Sequence, residues 1–156
     1  MNSKRRTLLK GTLAAGAVGV AASAGLLAPR TVLAAWPKAA FGAKGVDASL
    51  TALYGKGSAA DSKSIKIKAP DIAENGAVVP VTISSTISNA ESISIFVAKN
   101  PQPLTSSYAL GSGTQAFVGT RIKMGKTSDV VAVVKAGGKL YTAKKEVKVT
   151  IGGCGG

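Results

Sequence analysis

Ser64-Ile65-Lys66-Ile67-Lys68 alternates apolar and charged residues, and the chain downstream of it keeps that period of two. Successive side chains of an extended strand point to opposite faces, so Ile65 and Ile67 share one face while Lys66 and Lys68 share the other. Pro70-Asp71 closes this first strand. Glu74-Asn75-Gly76 is a turn signal ahead of a second strand at residues 77–85, where Val79, Val81 and Ile83 fall on one face. Residues 92–98 read as a third, stopped by Asn100-Pro101-Gln102-Pro103, because proline cannot donate to a sheet ladder. Residues 115–124 read as another strand, Gly125-Lys126 turns the chain into 130–134, and Gly137-Gly138 separates that strand from the last, 139–151. In the last strand Val147, Val149 and Ile151 face one way, with Lys148 and Thr150 facing the other. Short strands at regular spacing, about six or seven of them, predict an all-β fold, an immunoglobulin-like antiparallel β-sandwich.

Upstream the period changes. Phe41, Val46, Leu50, Leu53 and Tyr54 form an approximate stripe at helical spacing and predict a short N-terminal helix over residues 36–54. Gly55-Lys56-Gly57-Ser58 ends it and begins a polar linker. The stripe reads as a face packed on the domain or on a partner rather than as the lining of a ligand site.

At the far end the last predicted strand runs directly into Gly152-Gly153-Cys154-Gly155-Gly156, which holds the only cysteine of the chain. Glycines offer no side chains to pack around a thiol and leave the backbone its widest freedom, so an exposed, flexible arm is expected at residues 152–156. Five residues reach at most about 17 Å, and a glycine-flanked arm is thin enough to enter a narrow pocket. A thiol of ordinary pKa, about 8.5, is a nucleophile through its thiolate fraction, so covalent attachment of cargo to Cys154 is the chemistry implied. The alternative is a structural or binding module whose tail cysteine makes an interchain disulfide.

The beginning of the chain reads as an export signal. Lys4, Arg5, Arg6 and Lys10 make a basic region, followed by a Gly/Ala-rich apolar run and then Ala28-Pro29-Arg30-Thr31-Val32-Leu33-Ala34. The Arg5-Arg6 pair, Leu8-Leu9-Lys10 and the weakly hydrophobic run point to the twin-arginine pathway and the periplasm, with cleavage after Ala34 or Ala35 and no stable membrane association afterwards. The expected organisation is a signal at 1–34, helix and linker at 35–63, β-sandwich at 64–151 and arm at 152–156. Cleavage after Ala34 would leave 122 of the 156 residues and lower the formal net charge from +13 to about +8, since the leader holds five basic residues and no acidic ones.

Composition narrows the function. There is no histidine and a single cysteine, so a metal cage of imidazoles and thiolates within the chain is excluded, as are an internal disulfide and a Ser/His/Asp triad. With seven acidic residues in all, no paired carboxylates stand out, and no phosphate-cradling glycine loop occurs. Asp71, Glu74 and Asp129 fall at predicted turns or strand starts, where turn-forming and solubility roles suffice. Arg121 beside Lys123 is either an interface anchor or part of a solvated strand face. The lysines are spread without aromatic interleaving, which argues against a nucleic-acid surface, while the diffuse positive field favours anionic cargo or an acidic partner. No cofactor is expected.

The paired arginines, the all-β body and the ending Val147-Lys148-Val149-Thr150-Ile151-Gly152-Gly153-Cys154-Gly155-Gly156 together resemble the SoxY family, the sulfur-carrier subunits of the periplasmic thiosulfate-oxidising Sox system. Glu74-Asn75-Gly76-Ala77-Val78-Val79-Pro80-Val81, the Asn100-Pro101-Gln102-Pro103 turn and Thr120-Arg121-Ile122-Lys123-Met124 look like family segments as well. The resemblance implies a non-catalytic protein that pairs with SoxZ as a heterodimer and carries sulfur intermediates on Cys154, with Gly152, Gly153, Gly155 and Gly156 as arm residues. It implies transient contact with SoxXA, SoxB and, in organisms that have it, a sulfane dehydrogenase. The twin-arginine route moves folded proteins, and a small domain without cofactor needs it if it carries out a prefolded partner that lacks a signal. Changing Arg5-Arg6 to Lys-Lys is therefore expected to retain both this chain and its partner subunit in the cytoplasm, scored by cell fractionation. Normal export of the partner would refute co-export.

Overall fold

The computed structural model describes residues 37–150; residues 1–36, with the segment read as an export signal, and 151–156, with the glycine-flanked cysteine, lie outside them. Two helices, α1 (Lys38–Gly42) and α2 (Val46–Tyr54), precede nine strands among the described residues. The strands are β1 (Ala60–Asp61), β2 (Ile65–Lys68), β3 (Ile72–Ala73), β4 (Val79–Ser85), β5 (Ala90–Val97), β6 (Leu104–Ala109), β7 (Phe117–Ile122), β8 (Ser128–Ala136) and β9 (Lys139–Val149). They form an immunoglobulin-like sandwich of two sheets. The larger runs β1-β9-β8-β5-β6, with β3 also on β9, and the smaller runs β2-β4-β7.

Each strand follows from its side-chain pattern. In β4 Val79, Val81 and Ile83 are buried while Pro80 is exposed, the alternation of a strand with one face in water. β8 is different, because Val130-Val131-Ala132-Val133-Val134 is buried throughout. Its residues divide between two cores. Val130, Ala132 and Val134 join Ile93, Ile95, Val97 and Val147 against Val79, Val81, Ile83, Val118 and Ile122 of the smaller sheet. Val131 and Val133 join Phe96, Leu104 and Leu140 on the opposite face, beneath Ala40 and Leu50 of the helices. The larger sheet is thus the middle of three layers.

The stripe expected to form one helix over 36–54 forms two. Gly45 adopts φ 91°, outside the helical range and accessible to glycine at little cost, and Ala43 before it is extended. The break lets Ala40 and Leu50 reach the same apolar cluster from separate helices. The end of α2 is tied down by Tyr54, whose hydroxyl is hydrogen-bonded to Ser94 Oγ at 2.6 Å and Ser92 Oγ at 3.0 Å. Ser94 is fully buried and also bonded to Ser107 Oγ at 2.8 Å, so a polar group inside an apolar layer is satisfied from both sides.

Three strands lie where the alternation reading had none. β1 falls in the polar linker and β3 beside Asp71, each two residues long and parallel to β9, pairing Ala60 with Tyr141 and Ile72 with Lys148. β6 follows the Pro101/Pro103 turn as the partner of β5, with a register shift at Ile95/Phe96.

Across β5 and β8, Lys135 Nζ lies 2.7 Å from Glu91 Oε2. The Lys135 hydrogen bond holds the Glu91 carboxyl below the usual carboxylate range, and the same bond raises the Lys135 ammonium. A lowered carboxylate contributes stability above its ordinary value and loses it as pH falls through the lowered one; a raised ammonium loses its share as pH rises through the raised one. The thermal midpoint of Glu91→Gln is accordingly expected to fall slightly below that of the wild type at pH 7, the gap closing as pH drops below about 4.

Candidate functional site

β9 delivers the chain to its C-terminal segment, and its last residues are held from several directions. Val147 is fully buried in the inter-sheet core, Lys148 is exposed and Val149 half-buried, as the alternation at this end predicts. On one edge β3 runs parallel, with Lys148 N–H donating to Asp71 O at 2.9 Å and Thr150 N–H to Ala73 O at 3.2 Å. From the other side Thr127 Oγ1 accepts the Val149 N–H at 3.0 Å. Thr127 and β3 therefore take up successive backbone donors of residues 148–150, which fixes the direction in which the chain leaves the sandwich.

The segments that do the holding are themselves tied in place. Lys145 Nζ, on β9, reaches Ala69 O at 2.7 Å and Asp71 Oδ1 at 3.0 Å, which pins the β2–β3 connection. Asn75 Oδ1 accepts the Ala77 N–H at 2.9 Å and shapes the turn between β3 and β4. At Gly76 the chain passes so close to Met124 and Val149 that a Cβ there would meet Met124 O and lie 2.8 Å from Val149 Cγ1. Gly76 O in turn accepts the Met124 N–H at 2.7 Å. Asn100 completes the set: its Nδ2 donates to Lys123 O at 2.8 Å and its Oδ1 accepts the Gly125 N–H at 3.1 Å, bracing the β7–β8 turn that carries Thr127.

Cys154, Gly152, Gly153, Gly155 and Gly156, together with Arg5 and Arg6, lie outside the described residues. The structure describes the root from which that ending departs. Of the three lysines near the end of the chain, Lys145 is engaged by Asp71 and Ala69, whereas Lys144 and Lys148 are exposed. Asp71 is the acceptor in that ion pair as well as a turn residue. Arg121 is exposed on the outer face of the smaller sheet, opposite Pro80 in register. Among the described residues no group of three or more His, Cys, Asp or Glu could hold a metal ion. Thr127 and Ala73 were invisible in sequence as root contacts, since neither sits in a motif; Gly76 stood in a visible turn signal, but its tight fit against Val149 spans more than seventy residues.

Fold and root define an all-β module that holds the end of its last strand from several directions, a few residues ahead of the single cysteine of the sequence. The model of the sulfur oxidation protein SoxY matches residues 50–154, and the chain belongs to the SoxY family. Among solved structures, the sulfur carrier protein SoxY from Chlorobium limicola f thiosulfatophilum is 47% identical, with a TM-score of 0.60 over 67% of this chain and 96% of that one. A chain from a structure of T cell activation by the superantigen toxic shock syndrome toxin-1 is 11% identical, with a TM-score of 0.40 over 55% of this chain and 99% of that one, too distant to bear on fold or function. No curated protein matches the chain.

Filling the space at Gly76 should loosen the root. Gly76→Ala is expected to cost about 1–3 kcal/mol, the usual range for overpacking a close contact, measured by urea unfolding. A neutral result would mean that the β3–β4 turn yields freely.

Proposed function

We propose that this chain is a non-catalytic sulfur carrier of the thiosulfate-oxidising Sox system, working in the periplasm after twin-arginine export, with Cys154 as the attachment point. The observation that carries this reading is the family match itself, which extends to residue 154, the single cysteine of the chain.

The chemistry follows from one exposed thiol. In loading, the Cys154 sulfur bonds to the outer sulfur of thiosulfate, giving an S-thiosulfonate with loss of one proton and two electrons, which the haem enzyme SoxXA accepts. In unloading, SoxB adds water across the sulfur–sulfonate bond, releasing sulfate and two protons and leaving the cysteine persulfide as its anion. A sulfane dehydrogenase, where present, oxidises the outer sulfur further. Each adduct is anionic, in keeping with the positive charge of the chain. Tethering keeps a reactive intermediate at high effective concentration near each enzyme in turn and prevents its release. A clamped strand end serves this by fixing where the tether starts. SoxZ is the proposed stable partner.

Intact mass spectrometry of the mature protein, purified without reductant from cells grown on thiosulfate, is the direct test. Adducts of thiosulfate and sulfur mass are expected on Cys154 and absent from Cys154→Ser. An unmodified thiol, or a protein disulfide alone, would overturn the carrier reading.

A further inference from the structure

Among the described residues three large apolar side chains stand well exposed: Ile72 at 58%, Phe117 at 56% and Val78 at 51%. A single exposed aliphatic residue is unremarkable. Two of these three, however, occupy one short segment at the root of the C-terminal tail. Ile72 is paired with Lys148 in register. Val78 follows the turn whose Gly76 abuts Val149. Around them Lys123, Lys126 and Lys148 are exposed, against Glu74, while Asp71 is already matched by Lys145.

The length of the tail gives this patch its meaning. Cys154 follows Thr150 by four residues. Fully extended, these span at most about 14 Å. Whatever binds the sulfur of Cys154 inside a pocket must therefore bring the mouth of that pocket against the surface around Thr150.

Resting on the carrier reading, we infer that Ile72 and Val78 form an apolar collar around the root of the tail, on which the pocket mouth of an enzyme that processes the Cys154 adduct docks. The mouth that fits is apolar at its centre and acidic at its rim, to meet Lys123, Lys126 and Lys148. A carrier has to leave each enzyme after each step, and a collar with two apolar anchors matches the small contact of a transient encounter, below about 1,200 Å² in total. Because every enzyme acting on the adduct meets the same short tether, the collar is a shared docking element rather than a contact private to one of them.

The test uses the mature chain in complex with its partner subunit. Cys154 is loaded with tetrathionate: the thiolate attacks an inner sulfur, forming the S-thiosulfonate and expelling thiosulfate. Sulfate release by the thiosulfonate-hydrolysing enzyme of the system is then followed at varied carrier concentration. For Ile72→Ser/Val78→Ser, KM is expected to rise at least ten-fold with kcat unchanged, the thermal midpoint preserved and the partner subunit retained. Phe117→Ser is the control: it lies at the far end of β7, about 17 Å along the strand from the root, and should leave KM alone. If the serine variant melts early, Ile72→Thr/Val78→Thr keeps the β-branching and replaces it. An unchanged KM, a fall in kcat alone, or an equal rise in KM from Phe117→Ser would overturn the collar. Loss of the partner subunit would do so too, assigning the patch to the subunit interface. If the wild type takes up no adduct or releases no sulfate, the carrier reading itself fails; normal turnover by the wild type with an unchanged variant KM sinks the collar alone.

Discussion

The architecture depends on one constraint: β8 and the second half of β5 are buried on both faces, so neither face can be left to water. A strand of this kind needs a layer above and a layer below. The smaller sheet supplies one through Val79, Val81 and Ile83, and the helices supply the other through Ala40 and Leu50. This explains why so small a β-protein carries helices at all. Without them Phe96, Val131, Val133 and Leu140 would form a continuous exposed patch. It also explains why the polar groups on that face, Ser94 foremost, are matched by Tyr54 rather than left to solvent.

The alternating strands were legible because each has one wet face, and Ile65-Lys66-Ile67-Lys68 or Val79-Pro80-Val81 states its own register. The helical stripe pointed to a packing face, and its residues do pack on the sheet, but nothing local announced that Gly45 would break it in two. β6 escaped because Leu104-Thr105-Ser106-Ser107-Tyr108-Ala109 is an edge strand with one neighbour, mostly half-buried and rich in small hydroxyl residues, so burial writes no pattern into it. β1 and β3 are too short to show any period, and their partner lies some eighty residues downstream.

The same division runs through the site. A cysteine between glycine pairs stands out by residue type alone, because glycines give a thiol nothing to pack against. What holds the tail's root is not readable, because Thr127, Ala73 and Gly76 act through backbone donors and close approach. Ordinary residues become specific there only once the sheet has brought distant segments to one corner.

The parallel pairs of β1 and β3 with β9 carry a consequence for the life of the chain before it is folded. Among the described residues both early strands pair only with the last one, so loops of roughly eighty residues must close before either is satisfied, and such long-range pairing is slow. A ribosome that has not yet released the final strand displays a polypeptide whose larger sheet lacks an edge. Loss of a few terminal residues of β9 would therefore be felt at the opposite end of the domain, where β3 would be left without a neighbour.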